Sequence, residues 1–138
     1  NTGLYTLNLT GNNLKGKGGA AIIRGLKDNT TLRELNLSRN ALDTLDDDFG
    51  DAIEDALANN TGLYTLNLGD NALDDDFGDA IEDALANNTG LYTLNLTGNN
   101  LKGKGGAAII RGLKDNTTLR ELNLSRNALD TLDDDFGD

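Results

Sequence analysis

Residues 1–51 of this chain recur without a change as residues 88–138. A period of 87 residues leaves few architectures open, because one fold has to accept the same segment twice. Inside it runs a finer period. The pattern Leu4-x-x-Leu7-x-Leu9-x-x-Asn12-x-Leu14 returns as Leu32, Leu35, Leu37, Asn40, Leu42 and as Leu63, Leu66, Leu68, Asn71, Leu73. It returns again as Leu91, Leu94, Leu96, Asn99, Leu101 and as Leu119, Leu122, Leu124, Asn127, Leu129. First leucines step by 28, 31, 28 and 28 residues. The chain thus divides into repeats 1–28, 29–59, 60–87, 88–115 and 116–138, the last truncated, within a single expected domain.

Each repeat carries two periodicities. Leu7 and Leu9 alternate with Thr6 and Asn8, the period of a short half-buried strand. Farther on, Gly18, Ile22 and Leu26 recur every four residues, a helical spacing. Phe49, Ile53 and Leu57 take that role in the second repeat, Phe77, Ile81 and Leu85 in the third, and Gly105, Ile109 and Leu113 in the fourth. One strand and one helix cannot bury both apolar faces alone, so the units must stack. Strands pack ~4.8 Å apart and helices ~10 Å apart, so the stack has to curve with the strands inside. The predicted fold is an α/β solenoid with a parallel β-sheet on its concave face and helices on its convex face.

LxxLxLxxNxL followed by a helical stretch, at a period near 28 residues, resembles the ribonuclease-inhibitor-type leucine-rich repeat over the whole chain. The resemblance implies that the amides of Asn12, Asn40, Asn71, Asn99 and Asn127 satisfy backbone groups in the turn after each strand. It also implies that a protein partner would sit on the concave face. Two departures stand out. Asp43-Thr44-Leu45 lengthens the second repeat, and Asn fills every position where the family often places Cys.

Composition narrows function mainly by exclusion. With 12 Lys+Arg against 23 Asp+Glu the net charge is −11, which opposes nucleic acid and anionic membrane as partners. No apolar run approaches the ~20 residues of a membrane span. The opening NTGLYTLNL already belongs to a repeat and lacks the character of a signal peptide, so the expected localisation is cytoplasmic or recombinant. There is no Cys and no His, which removes disulfides, thiolate metal sites and the commonest general base. No catalytic residue, metal site or cofactor is therefore expected. Pro, Met and Trp are missing too, which points to idealisation or recent internal duplication. The reading that follows is a non-enzymatic, designed or consensus-derived scaffold. Its rival is a natural cytoplasmic segment of the same family that binds a protein.

Several motifs invite sharper readings. Gly11-Asn-Asn-Leu-Lys-Gly16-Lys17-Gly18, repeated at Gly98–Gly105, nearly spells a phosphate-binding loop, but glycine stands where a magnesium-binding hydroxyl is required. Asp46-Asp47-Asp48, Asp74-Asp75-Asp76 and Asp133-Asp134-Asp135 lack calcium-loop spacing and suit helix starts, where carboxylates meet free N–H groups. Glycosylation sequons, among them Asn8, Asn29, Asn36, Asn95, Asn116 and Asn123, read as by-products of the repeat. On the helical side, Lys15, Lys17, Arg24 and Lys27 make the first and fourth repeats basic, whereas the second and third are acidic, so unlike helices should attract.

The remaining functional candidate is the concave face. Strand parity places there Thr6 and Asn8, Glu34 and Asn36, Thr65 and Asn67, Thr93 and Asn95, and Glu121 and Asn123, with Thr10, Ser38, Thr97 and Ser125 continuing the row. Tyr5, Arg33, Tyr64, Tyr92 and Arg120 precede that row by one position, nearer the rim by parity. A second expectation concerns the chain itself. Terminal repeats without distinct polar caps leave Leu4, Leu7, Leu9, Ile22 and Leu26 covered on one side, and self-association through such ends is expected.

Overall fold

The computed structural model describes residues 4–44, 48–59 and 62–129. Strand and helix alternate: β1 (Thr6–Asn8), α1 (Lys15–Gly25), β2 (Glu34–Asn36), α2 (Asp48–Asn59), β3 (Thr65–Asn67), α3 (Asp75–Asn87), β4 (Thr93–Asn95), α4 (Gly103–Leu113) and β5 (Glu121–Asn123). The strands form one parallel sheet in sequence order. Its register aligns Leu7, Leu35, Leu66, Leu94 and Leu122 in a single file. The curved α/β array expected from the two periodicities is what these residues form.

The core is the space between sheet and helices. Leu35, Leu37, Leu66, Leu68 and Leu94 enter it from the strands, and Phe49, Ile53, Phe77, Ile81, Leu85 and Ile109 from the helices. Phe49 and Phe77 stack with ring centroids 6.1 Å apart, joining the two acidic helices by an apolar contact. Basic and acidic helices meet through exposed ion pairs: Arg24–Asp48 at 3.8 Å, Lys27–Asp55 at 3.5 Å and Arg111–Glu82 at 3.4 Å. Such pairs contribute ~0.2–1 kcal/mol each, far less than the core. The Asp43-Thr44 insertion is tied down by Asp43, which bridges to Ala72, and by the Thr44 hydroxyl, which donates to Asp74 at 2.5 Å.

One face departs from the expected pattern. Gly18, Ile22 and Leu26 were to line the inside of α1, but Gly19, Ala20 and Ile23 do so, and Ile22 lies at the core margin. Leu26 is buried all the same. The cause lies at the helix start. Leu14 caps α1 without a side-chain bond and Lys15 is left-handed at φ +60°, so the helix begins early and its phase advances by one residue. The other three helices bury the expected Phe49, Ile53 and Leu57, Phe77, Ile81 and Leu85, and Gly105 and Ile109. Leu113 packs against the core edge.

Candidate functional site

The turn after each strand has the same difficulty in every repeat. It must bend sharply while its backbone polar groups leave water, and each buried group needs a partner. The residue before the repeat asparagine takes a left-handed conformation every time: Gly11 (φ +73°), Arg39 (+55°), Asp70 (+54°), Gly98 (+70°) and Arg126 (+55°). The asparagine then fills the bend. The Asn40 amide nitrogen donates to the carbonyls of Leu9 (2.9 Å), Leu37 (3.0 Å) and Ser38 (3.1 Å), and its oxygen accepts from Asn12 N (2.8 Å) and Leu14 N (3.3 Å). Asn71 and Asn99 do the same one and two repeats on. The ladder implied by the family resemblance is present, and each rung reaches back into the preceding repeat.

A second asparagine ladder, not foreseen from sequence, runs along the opposite rim. Asn29, Asn88 and Asn116 each accept from the next N–H groups, as Asn88 does from Gly90 (3.0 Å) and Leu91 (2.7 Å). The Asn88 and Asn116 amides donate to Leu57 O near the end of α2 and to Leu85 O near the end of α3, both at 2.7 Å. In Asn116 the nitrogen a glycan would need is thereby occupied. The signal was an asparagine at the first position of every repeat.

The ten concave residues come together as one surface, but their chemistry divides. The Oδ1 of Asn8, Asn36, Asn67, Asn95 and Asn123 accepts from the N–H two residues later at 2.9–3.0 Å, so these amides finish the strands. Thr6 and Thr93 donate to Glu34 (3.3 Å) and Glu121 (3.0 Å) across adjacent strands, and Thr65 lies half-buried between them. Thr10 with Ser38 (3.2 Å) and Thr97 with Ser125 (3.1 Å) form a second hydroxyl row. The face is polar, and its hydrogen bonds are largely internal.

Parity understated its neighbours. The Tyr5 carbonyl accepts from both Arg33 N (2.8 Å) and Glu34 N (2.9 Å), Arg33 O from Tyr64 and Thr65, and Tyr64 O from Tyr92 and Thr93. Tyr92 O likewise accepts from Arg120 and Glu121. One carbonyl thus receives two successive N–H groups where each strand begins, just ahead of the one-to-one register of Thr6 with Glu34. Tyr5, Arg33, Tyr64, Tyr92 and Arg120 are exposed beside the polar row, with Tyr5 at 62%, Tyr64 at 48% and Tyr92 at 37%. Tyr64 and Tyr92 stack at 4.8 Å, 11° from parallel.

The decoy loops are resolved by their bonds. In Gly11–Gly18 the N–H groups of Asn12, Leu14 and Lys15 all donate to Asn40, and in Gly98–Gly105 those of Asn100, Leu101, Lys102 and Gly105 go to Leu73, Asn127 and Asp75. None of these donors is left for a phosphate. Asp74 caps α3 by accepting from Asp76 N at 3.1 Å, as expected of that triplet. Asp75 reaches farther and caps α4, accepting from Lys102 N (2.8 Å) and Gly105 N (2.9 Å). Asp46, Asp47 and Asp133–Asp135 lie outside the described residues. Among those described, no three acidic side chains converge as a metal site would require.

Known proteins place this architecture. No curated protein sequence matches the chain. Among solved structures it is similar to leiomodin-1 actin-binding site 2, with 27% identity and a TM-score of 0.75 over 86% of this chain and 69% of that one. It is also similar in fold to the tropomodulin C-terminal domain of Caenorhabditis elegans, with 12% identity and a TM-score of 0.77 over 91% and 75%. A family model described as "Leucine Rich repeat" matches residues 1–22, 28–44, 87–109 and 115–131. With more than half its length matched and its strands clasped by a repeat asparagine, the chain belongs to the leucine-rich-repeat family.

Proposed function

We propose that this array is a non-enzymatic protein-binding module whose docking surface is the concave sheet. The observation that carries the reading is the uninterrupted outward row from Thr6 to Asn123 on five aligned strands. Support also comes from leiomodin-1, whose similar domain is its actin-binding site 2. Monomeric actin is accordingly the partner to test. Saturable binding by interferometry, lost when Thr65→Arg and Thr93→Arg crowd the centre of the face, is the expected result. Binding unchanged by both substitutions would remove this face from the reading, and absence of binding would remove actin.

A second reading is favoured by one observation, the unchanged recurrence of 51 residues in a chain without Cys, His, Pro, Met or Trp. On it the array is an idealised scaffold with no selected ligand, and copies meet along β1 and β5. The pairing already exists inside the molecule: β2 (ELN) on β3 (TLN) has the strand sequences that β5 on a second β1 would have. A mass by light scattering that stays monomeric over a concentration series would reject that association.

A further inference from the structure

The rim row carries a chemistry that the polar face lacks. Its backbone is in register, with Tyr64 N on Arg33 O at 2.7 Å, Tyr92 N on Tyr64 O at 2.9 Å and Arg120 N on Tyr92 O at 2.9 Å. The order along the sheet is therefore Arg33, Tyr64, Tyr92, Arg120, an aromatic stack between two cations. Arg33 Nη1 is braced on Thr30 O (3.0 Å) and Gly62 O (3.1 Å), and Arg120 Nη1 on Thr117 O (2.9 Å). Neither guanidinium forms an ion pair among the described residues. Their neighbours Glu34 and Glu121 accept instead from Thr6 and Thr93. Beside Arg33 the rim sinks into a cavity of about 330 Å³ walled by Lys27, Thr30, Arg33, Asn59 and Tyr64.

We propose that this rim binds an extended acidic peptide segment of a partner protein, with carboxylates at Arg33 and Arg120 and an apolar side chain on the tyrosine stack. The inference rests on the protein-binding reading but uses a different row of side chains. Spacing sets the motif. Three strand-to-strand steps separate the arginines, about 14 Å. An extended peptide covers about 13 Å in four residues, and its residues i, i+2 and i+4 share one face. Glu at i, an aromatic residue at i+2 and Glu at i+4 therefore meet Arg33, the stack and Arg120 in turn. Guanidinium held in place loses little freedom on gripping a carboxylate, and exposed aromatic and Arg side chains are the usual anchors of interfaces.

The test uses the intact chain and a fluorescein-labelled peptide, Gly-Ser-Glu-Ser-Phe-Ser-Glu-Ser, followed by anisotropy. Saturable binding is expected, weakened about tenfold by Arg33→Gln, by Arg120→Gln, or by replacing both peptide Glu with Gln. Arg120 holds only its own loop, so that variant reports on the peptide even where Arg33→Gln disturbs the second repeat; circular dichroism checks both. Moving the second Glu from i+4 to i+3, which turns it to the opposite face of an extended peptide and leaves the Phe in place, should weaken binding comparably. Equal affinity for the Gln peptide, insensitivity to Arg120→Gln in a folded protein, or no saturation up to about millimolar protein would each overturn the proposal. Peptide binding without actin binding leaves the rim standing and the actin reading fallen, and the converse separates them the other way.

Discussion

α1 and α4 are built from one sequence, since Lys15–Leu26 recurs as Lys102–Leu113, yet they turn different sides to the core. In α1 Ile23 is 1% exposed and Ile22 lies at the margin. In α4 the equivalent of Ile22, Ile109, is fully buried, and the equivalent of Ile23, Ile110, is 45% exposed. The difference comes from the neighbour. Asp75 of the third repeat caps α4, and α3 lies so close that a Cβ on Gly78 would overlap the backbone of Gly105, and one on Gly112 the carbonyl of Glu82. Gly25, the counterpart of Gly112, faces open space. Helix phase in this array is thus assigned by the preceding repeat, and the residues of the helix itself permit two phases.

The largest contrast should come from the core. Leu68 is fully buried between the second and fourth repeats, and Leu68→Ala should lower stability by ~2–5 kcal/mol, the range for large-to-small core changes. Leu9, only partly buried, should lose clearly less. Equal shifts in denaturant midpoint would contradict a stability set by neighbours on both sides.

Next comes one substitution made twice. Gly112→Ala should destabilise by ~1–3 kcal/mol, the usual cost of overpacking, because its Cβ meets Glu82 backbone. Gly25→Ala has room and should be neutral or stabilising by up to ~1 kcal/mol, the helix preference of Ala over Gly. Melts of the two variants with the same sign would break the comparison of α1 with α4.

Asp75→Ala tests the cap itself and should cost ~0.5–2 kcal/mol. Methyl resonances sharpen it: Ile109 and Ile110 should move toward the positions of Ile22 and Ile23. Resonances already coincident in the unsubstituted chain would show that α1 and α4 share a phase. The smallest effect concerns the strand-end turn. Arg39 is left-handed where the first and fourth repeats have glycine, so Arg39→Gly should stabilise by ~0.5–1 kcal/mol in thermal melts. A lowered melting temperature would mean that the arginine side chain matters more than its backbone strain.

Spacing alone was enough for the strands, the sheet order and the inward leucines, because a period of two and a repeat asparagine admit one stacking. The clasping role of Asn40 followed from family likeness plus the need to satisfy a buried turn. What escaped belongs to pairs of repeats. The phase of α1 depends on a cap that its own residues do not supply. The Asp75 carboxylate serves the helix after its own, which no count within a repeat reveals. Asn36 and its equivalents look free for a ligand in sequence, yet each closes a turn at its own strand end. Parity put Tyr64 and Arg120 nearer the rim, but alternation within one strand does not reveal the stacking of Tyr64 on Tyr92 or the bracing of Arg120 by its own loop.

The asparagine rungs have a mechanical consequence. Because Asn40, Asn71 and Asn99 each grip the repeat behind them, a tensile load applied at the two ends passes through the clasps in series. A series of similar clasps under tension yields singly, at the weakest, and shields the rest by extending. A pulling experiment should therefore record a sawtooth whose spacing is one repeat, about 28 residues or on the order of 95 Å of contour length. A single rupture of the whole array would mean that its repeats share load in parallel.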